Sequence, residues 1–562
     1  SQACTVTLAP NTLSNVWVVQ NSAGDTVTLS QGTGANVVIP NGGIRMVATD
    51  GAGSGAAVTD VLDVLGGTGN VGLGSGAFGT GLTTGTDNVA VGENAGDALT
   101  TGSDNTLIGD NAGGALTTGG SNVAVGSSAL LTEDGNGNNV AVGFEALKVL
   151  NAGDEAYNVA VGYQAGVAVT TGTGNTLIGA VSGDALTTGA NNAGVGINSL
   201  GSLTTGSNNV AMGTAALDAA TTADNNTAIG HASLGANTTG HSNVAVGSVA
   251  LDANTTGTGN VAVGMNALGA NTTAASNVAI GDEALAANTT GANNAAVGKN
   301  ALDSNTTGAR NVAVGHDSVK ASTTGADNVG VGDSALAANT TASNNTALGS
   351  AALQANTTGA SNTGIGRAAL NANTTASNNT AIGYFALLLN TTGANNVAVG
   401  TNSLDANTTA ANNVAVGYAS LGGNTTGADN TAVGREALLS NTTGASNVAV
   451  GSTALDANTT GSNNTAVGQA ALTASTTASS QVAVGYAALS TCTTATGNTA
   501  VGYLAGQDVS TAVQNTLVGH AAGYNITTAN NNVFIGYGAG DACTTGTPNV
   551  AIGVGAYGAG GA

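Results

Sequence analysis

The chain has 562 residues, of which 89 are Gly, 3 are Pro and 7 are Lys or Arg, and its formal net charge is −23. With 2% aromatic residues it cannot fill several thick globular cores, whereas its Val, Ala and Gly can fill a thin coil. The shortage of cations argues against nucleic acid as a partner, and the lack of an apolar window of about 18 residues argues against membrane insertion.

Residues 1–66 are predicted to form a small antiparallel β domain. Short alternating runs, among them Val16-Trp17-Val18-Val19 and Thr26-Val27-Thr28-Leu29, are separated by turn residues such as Asn-Gly and Gln-Gly. Trp17, the single tryptophan, is predicted to anchor the core of this domain. Because the end of a stacked repeat array exposes unpaired strand edges, we expect the domain to cap the repeats that follow or to attach them to another protein.

A 17-residue repeat occupies residues 67–553 and dominates the chain. The first regular units open at Asn88, Asn105, Asn122 and Asn139. After one 19-residue unit, the spacing is again 17 residues from Asn158 to Asn549. With a degenerate copy at Asn70 there are 29 units, and we number the positions of each unit from this Asn as position 1.

Position 5 is Gly in every unit, and position 4 is Val, Ile, Leu or Met. The Val-x-Val alternation at positions 2–4 predicts a short strand, and the Gly predicts a corner with positive φ or without room for a Cβ. A second strand is predicted over positions 8–14. The expected fold is therefore all-β, a parallel β-solenoid or β-roll of 17-residue coils.

Most coils carry one bulky side chain at either position 9 or position 12. Where position 9 is Leu, position 12 is usually polar, as in Leu251 and Asn254. Where position 9 is Gly, position 12 is apolar, as in Gly166 and Val169, although the coil with Leu200 and Leu203 has Leu at both positions. This exchange predicts that the two side chains share a fixed volume and that position 12 lies at least partly inside the coil.

Position 12 often opens an Asn-Thr-Thr sequence, which matches the N-glycosylation sequon, as at Asn237 and Asn254. The alternative is a ladder of Asn side chains that hydrogen-bond from coil to coil. Because position 12 also accepts Leu116, Leu186 and Cys492, we favour the ladder. The Thr residues at positions 13 and 14 raise the alternative of an ice-binding face. Adjacent strand residues face opposite sides, so β propensity explains these Thr residues better.

The repeat is irregular between residues 131 and 157. The first, third, fifth and twelfth positions of an EF-hand calcium loop are matched by Asp134, Asn136, Asn138 and Glu145. However, Asn139 stands where such a loop needs Gly, and no helices are expected beside it. We favour an acidic surface loop, joined by Asp154 and Glu155, and keep calcium as the alternative; no other cofactor is expected.

Cysteine and histidine residues form no recognisable site. Cys492 and Cys543 occupy position 12 three units apart, about 14 Å at a coil spacing of about 4.8 Å, which is too far for a disulfide. The four histidines lack metal-ligand spacing, and no nucleophile elbow, phosphate loop or paired acids recur. The sequence therefore predicts a structural or adhesive protein and not an enzyme.

Tyrosines gather toward the C-terminus. Tyr524, Tyr537 and Tyr557 are candidate residues of a ligand-contacting tip, and capping of the solenoid end is the alternative. Residues 554–562 are predicted to be a Gly/Ala-rich tail.

The units Asn-Val-Ala-Val-Gly…Ala-Leu…Asn-Thr-Thr-Gly, over about residues 70–553, resemble the head repeats of trimeric autotransporter adhesins and related repeats of bacteriophage tail fibres. The segment from Val37 to Ala52 also looks like small β modules that precede phage fibre shafts. The resemblance implies a left-handed parallel β-roll whose three chains pack around one axis.

The chain departs from the adhesin pattern in its longer unit and in its lack of a heptad stalk and of membrane-anchor strands, which counts against a self-anchored adhesin. Phage fibres of this type often lose a C-terminal chaperone domain, and the Gly-Ala-Gly-Gly-Ala end fits such a trimmed product.

A homotrimer is also predicted from position 3. This position is mostly Ala, with Gly194, Gly330 and Gly364 as smaller versions, so we expect its face to approach another backbone closely. At about 4.8 Å per coil, the 29 units predict a rod on the order of 140 Å long.

The favoured function is a virion tail or whisker fibre that acts as a rigid spacer and adhesin for host attachment. The alternative is a secreted bacterial adhesin or extracellular filament subunit, and an ice-binding solenoid is a third class. The expected location is the virion or the extracellular space, with any export signal already removed. Expected partners are two further copies, virion or surface-anchoring proteins that contact residues 1–66, and a host surface receptor or glycan.

Overall fold

The structure is a computed structural model that describes residues 3–64, 69–153 and 155–558. It divides into two compact units, Ser1–Ala275 and Ser276–Ala562. The predicted all-β class is confirmed: the described residues contain 35 strands, a 3-10 turn at Gly53–Gly55 and no α-helix. Accordingly, no helix within those ranges is long and apolar enough to cross a membrane. The predicted boundary between residues 66 and 67 and the last four residues of the predicted tail lie outside the described residues.

The N-terminal β domain contains six strands in two small sheets. The strands are β1 (Cys4–Thr7), β2 (Ser14–Gln20), β3 (Val27–Ser30), β4 (Val37–Ile39), β5 (Ile44–Asp50) and β6 (Val58–Val64). The sheet β2-β5-β6 is antiparallel. The sheet β1-β3-β4 is mixed, because β1 runs parallel to β3 while β4 runs antiparallel to it. The predicted antiparallel domain is thus present, with one parallel pair that the sequence did not reveal.

The core of this domain does not contain Trp17, and the predicted anchoring role is wrong. The buried cluster consists of Val27, Leu29, Val37, Ile39, Val47 and Val58. Trp17 is 37% exposed, and its neighbours Val16 and Val18 are 58% and 67% exposed. Among the described strands, β2 pairs only with β5, so it is an edge strand. Both of its faces meet solvent over this stretch, and only Val19 packs against the core.

The first unit continues into twelve described repeat strands, β7–β18, each covering positions 2–4 of a coil. They are Val71–Leu73, Val89–Val91, Thr106–Ile108, Val123–Val125, Val140–Val142, Val159–Val161, Thr176–Ile178, Ala193–Val195, Val210–Met212, Thr227–Ile229, Val244–Val246 and Val261–Val263. Each strand pairs in parallel and in register with the next, so that equivalent positions lie side by side.

The second unit repeats this arrangement in seventeen described strands, β19–β35. They are Val278–Ile280, Ala295–Val297, Val312–Val314, Val329–Val331, Thr346–Leu348, Thr363–Ile365, Thr380–Ile382, Val397–Val399, Val414–Val416, Thr431–Val433, Val448–Val450, Thr465–Val467, Val482–Val484, Thr499–Val501, Thr516–Val518, Val533–Ile535 and Val550–Ile552. They pair in parallel and in register throughout. The repeat strands of each of the two compact units therefore form a parallel β-solenoid, as predicted.

The residue at position 3 faces the interior of its own coil. In the coil that opens at Asn243, Ala245 is fully buried, whereas Val244 and Val246 on either side are half-buried. The expectation that position 3 lines a contact with another chain is therefore wrong. Gly330 is small for an internal reason: a Cβ there would lie 2.5 Å from Cγ2 of Val319 in the preceding coil.

The predicted second strand over positions 8–14 is also wrong. In the coil that opens at Asn243, as in nearly all described coils, positions 6–11 form consecutive turns. In the coil of Asn243, Val249 and Leu251 have φ values of +51° and +53°. Ala250 and Leu251 are adjacent and both fully buried. An extended strand would point them to opposite sides, whereas the left-handed residues turn the chain so that both enter the core.

The prediction for the position-5 glycine is confirmed in both of its parts. These glycines have φ between +126° and +146°, a region that residues with a Cβ rarely adopt. A Cβ on Gly315 would also lie 2.6 Å from the carbonyl oxygen of Gly332 in the next coil. The Gly315 N–H donates to Val297 O at 2.8 Å, so the corner itself joins neighbouring coils.

The shared volume of positions 9 and 12 is confirmed, and position 3 shares it as well. A Cβ side chain at Gly166 would begin 3.2 Å from Cγ2 of Val169 and 2.8 Å from Cδ1 of Leu177. Val169 is at position 12 of the same coil, and Leu177 is at position 3 of the next. Around Gly166, the space that a position-9 side chain would fill is therefore taken by Val169 and Leu177.

Two coils have Leu at both positions: one has Leu147 and Leu150 with Ala141 at position 3, and the other has Leu200 and Leu203. Leu200 and Leu203 are both fully buried, and position 3 of this coil is Gly194. A Cβ on Gly194 would lie 3.1 Å from Cδ1 of Leu200. The absence of a methyl group at Gly194 thus leaves space in the coil for the second leucine.

The substitution Gly315→Ala is expected to destabilise its coil by about 1–3 kcal/mol, because it adds both left-handed backbone strain and a steric clash. Amide hydrogen exchange of the flanking coils measures this as faster local opening. Gly422→Ala, at position 10 of another coil, is the control, because its φ is not positive and a Cβ there would lie no closer than 3.3 Å to any atom. Ala337 already occupies position 10 of its own coil. Equal effects of the two substitutions would show that the corner conformation is not what position 5 requires.

Candidate functional site

A ladder of buried asparagines at position 1 runs through the solenoid. The Asn243 backbone N–H donates to Oδ1 of Asn226 in the preceding coil at 3.0 Å. Asn243 Nδ2 donates to the same oxygen at 3.2 Å and to the carbonyl of Gly257 at 2.9 Å. The side chain is fully buried, so every coil needs its neighbour to satisfy these groups.

The position-1 Asn marks the start of each repeat in the sequence, but its coil-to-coil hydrogen bonding was not predicted. The available signal was its recurrence in every unit except one, which has Gln481. Gln481 takes the same place: its N–H donates to Oδ1 of Asn464 at 3.0 Å, and its own Oε1 accepts from the Asn498 N–H at 3.2 Å. A side-chain amide is therefore what the position requires.

The predicted ladder at position 12 is confirmed. Asn254 Nδ2 donates to Oδ1 of Asn237 at 2.9 Å and to the carbonyl of Gly257 at 3.1 Å, and Asn271 repeats the contact with Asn254. These side chains are fully buried. The folded coil encloses the amide nitrogen that a glycan would modify, so the glycosylation alternative is wrong for the folded protein.

The threonines after this ladder have two different environments. Thr255 Oγ1, at position 13, donates to the carbonyl of Thr272 in the next coil at 3.1 Å, and the Thr255 N–H donates to the same oxygen. Thr256, at position 14, is exposed. The exposed threonines thus form a file one residue wide.

Replacing Asn373 with Ala removes bonds to Asn356 Oδ1 at 2.8 Å and Ala376 O at 3.0 Å and takes away the acceptor of Asn390. The expected loss of unfolding free energy is about 1–3 kcal/mol. Thermal denaturation followed by circular dichroism measures it, with the exposed Thr375→Ala as the control. Unchanged stability of the Asn373 variant would contradict a stabilising ladder.

The irregular segment contains the four residues of the predicted calcium loop, and Glu145 is held apart from the others. Its two carboxylate oxygens accept hydrogen bonds from Lys148 Nζ and Gln164 Nε2, both at 2.7 Å. Asn136 and Asn138 line an open polar pocket of about 480 Å³, together with Thr118, Ser121, Glu155 and four glycines.

The remaining calcium-loop residue, Asp134, uses its backbone carbonyl to accept two bonds from Thr117. Across the described ranges, no group of three His, Cys, Asp or Glu side chains is arranged to hold a metal ion. Calcium binding therefore remains a prediction to which the geometry adds no support, and Asp154 lies outside the described residues.

Glu133, in the same segment, is a buried carboxyl at position 12 that sequence reasoning missed. The equivalent residues of the adjacent coils are Leu116 and Leu150, and all three side chains are fully buried. Its Oε1 accepts the Asn136 N–H at 3.0 Å, while its Oε2 has no hydrogen-bond partner. Burial raises the pKa of Glu133 above its usual value.

The substitution Glu133→Gln is expected to stabilise the protein at neutral pH by about 1–3 kcal/mol, because it removes a buried charge that lacks a full set of partners. Since the folded-state pKa of Glu133 is raised, its contribution to stability is fully present below the unfolded pKa and is lost as the pH rises through the folded pKa.

The gain from Glu133→Gln should therefore shrink toward acid pH, which denaturant titrations at several pH values measure. Glu145→Gln is the control and should have the opposite sign, because its hydrogen bond to Lys148 lowers the pKa of Glu145. A pH-independent effect at Glu133 would contradict this account.

The three tyrosines predicted at a tip do not form one cluster. The Tyr557 ring stacks on the buried Phe534 ring with centroids 6.1 Å apart, which favours the end-capping alternative for this residue. Tyr537 stacks on His520. Tyr524 is half-buried and has no ring partner within residues 155–558.

The cysteines are free, and two of them lie in the core. Cys4 is exposed, whereas Cys492 and Cys543 are buried. Burial raises the pKa of Cys492 to about 11, so its thiol remains protonated and unreactive at neutral pH.

An apolar stripe runs along the outside of each unit. It consists of the position-4 residues, which the in-register strands place side by side. Among its most exposed members are Met212 at 44%, Ile280 at 41% and Leu348 at 47%. A continuous row of exposed aliphatic side chains is typical of a surface that contacts another molecule.

Comparison of the chain with protein-family models, with curated proteins and with solved structures finds no match. The resemblance to phage fibres and adhesin heads therefore rests on the repeat motifs alone.

Proposed function

We propose that the protein is a structural fibre of a virion, a tail or whisker fibre that acts as a spacer and adhesin in host attachment. The observation that carries this proposal is the coil-to-coil bonding. Every coil in a unit bonds to its neighbours through the strand, the position-5 corner and the position-1 ladder. Such a structure resists bending and needs no thick core, which suits a spacer.

The absence of catalytic chemistry from the sequence motifs supports a role that is not enzymatic. Large side chains are rare inside the coils, and the internal space is filled by Ala, Leu and Asn. The functional surfaces are then external, as expected for a fibre that works through contacts with other proteins and with a receptor or glycan on the host.

A homotrimer is proposed with the apolar stripe at position 4 as its contact surface, in place of position 3. Three copies that face each other along this stripe would bury exposed Val, Ile, Leu and Met side chains, and this burial supplies the driving force. The chain has few charged side chains, so little charge would have to be desolvated.

The N-terminal domain supplies the proposed attachment to another virion or surface-anchoring protein. Its edge strand β2 presents Val16, Trp17 and Val18, all exposed, and has one unpaired edge among the described strands. An exposed apolar edge strand is a template for strand addition by a partner.

Light scattering of the purified protein is expected to give a mass near three times the 52.7 kDa of one chain. Negative-stain images should then show rods of uniform length. A single-chain mass would refute the trimer, and filaments of indefinite length would favour an extracellular filament subunit instead.

A pair of variants tests the contact surface. Leu348→Glu combined with Ile382→Glu places charges in the apolar stripe and should shift the mass toward one chain, because buried like charges repel. Thr358→Glu combined with Thr392→Glu, at exposed position 14 of the same coils, should leave the mass unchanged. Equal behaviour of the two variants would show that the stripe is not the interface.

A further inference from the structure

The residues at position 6 form a column with a distinct chemistry. Six of the 9 Tyr, three of the 4 His and three of the 7 Lys and Arg residues of the whole chain stand at this single position. Ala180 and Ser248 occupy it in other coils, so the fold does not require a large side chain there. Exposed aromatic residues that the fold does not need indicate contact with another molecule.

Four consecutive coils of the second unit place aromatic rings at this position and stack them. The centroids of Tyr486 and Tyr503 are 5.2 Å apart, those of Tyr503 and His520 are 5.0 Å apart, and those of His520 and Tyr537 are 4.8 Å apart. The planes of successive rings differ by 14°, 19° and 15°. We call these four residues the aromatic row.

The aromatic row remains open to solvent. Tyr486, Tyr503 and Tyr537 are 46%, 48% and 60% exposed. Because the inner faces of the rings cover one another, the solvent meets ring edges and phenolic hydroxyls at the spacing of the coils. The three hydroxyls have no hydrogen-bond partner within residues 155–558. Beyond Tyr537, position 6 of the next coil is Val554, so the outer face of the Tyr537 ring has no aromatic neighbour.

The charge around the aromatic row favours a neutral ligand. Residues 436–562 contain no Lys or Arg, and their only charged side chains are acidic. A phosphate, sulfate or carboxylate polymer would find no cation there and would be repelled by the net charge of −23. The position-7 residues beside the rings include Ala487, Leu504 and Ala521, which add no charge.

We propose that the aromatic row binds a neutral polysaccharide chain that lies along the coil stack. A sugar ring has an apolar C–H face that can pack along the exposed ring edges and on the open outer face of Tyr537, and its hydroxyls can pair with the free phenolic hydroxyls. A row that is one ring wide and four coils long fits a single extended polymer better than a protein surface, which needs a broad patch. This inference rests on the proposed adhesive function and assigns its ligand class.

The test is affinity electrophoresis of the full chain in native gels that contain hydroxyethyl cellulose, dextran or galactomannan, with heparin as the anionic comparison. Retardation is expected in at least one neutral gel and not with heparin. The triple variant Tyr486→Ala, Tyr503→Ala and Tyr537→Ala should lose at least tenfold in apparent affinity. Ala180 shows that a coil accepts alanine at position 6, so the variant should fold.

Tyr418→Ala is the matched control, because Tyr418 is at position 6 and 53% exposed but has Thr401 and Arg435 as its neighbours in the column. It should retain wild-type retardation. No retardation in any neutral gel, equal retardation of the triple variant, or binding to heparin alone would each overturn the proposal. A trimeric fibre that binds none of the polysaccharides would overturn only this inference, whereas a single-chain mass would overturn the proposed trimer independently.

Discussion

The hydrogen bonds of the side-chain amide at position 1 are the interaction on which the rest of the solenoid in each compact unit depends. Only three residues in each 17-residue coil pair as a strand, so most of the backbone needs other partners. The buried Asn243 amide donates from Nδ2 to Oδ1 of Asn226 in the coil before it, and its own Oδ1 accepts the backbone N–H of Asn260, which opens the next coil. Because a buried amide without partners is costly, a coil is stable only against a neighbour, and stacking becomes cooperative.

This dependence divides the residues of a coil into two sets. Positions that face inward share one fixed volume. Leu177 at position 3 therefore requires Gly at position 9 of the preceding coil, Gly166, and of its own coil, Gly183. Positions that face outward are free of this constraint and can vary without cost to the fold. Position 6 faces outward and varies from coil to coil. Its aromatic and basic residues differ from the small polar residues at the exposed position 14.

The irregular segment, residues 131–157, shows that the buried position 12 can accept a residue unlike those of the other coils. In most coils position 12 is either Asn in a ladder or an apolar residue, with Ser322 and Ser475 as small polar exceptions, and Glu133 is the only charged residue at this position. It stands between Leu116 and Leu150, in the coil next to the 19-residue unit. The coincidence of a buried carboxyl, a longer unit and a polar pocket marks this as the place where the solenoid is least regular.

The repeat, the strand at positions 2–4, the glycine corner and the ladder at position 12 could all be predicted before the fold was known. The strand and the glycine corner follow from recurrence, because a residue type that every coil keeps reports a local steric or hydrogen-bonding need. The ladder at position 12 follows instead from the apolar residues that replace Asn there, because they place this position inside the coil. Periodicity could not locate the turns at positions 6–11, since left-handed φ values at Val249 and Leu251 leave no residue signature of the kind that glycine leaves.

Tertiary structure alone decided which side of each strand is internal and which residues meet. Position 3 carries small residues whether it faces a neighbour chain or its own core, and only the closed coil shows that it is internal. Trp17 looked like a core residue because it is large and apolar, but an edge strand leaves it exposed. The aromatic row likewise exists only because in-register stacking brings residues 17 positions apart into ring contact.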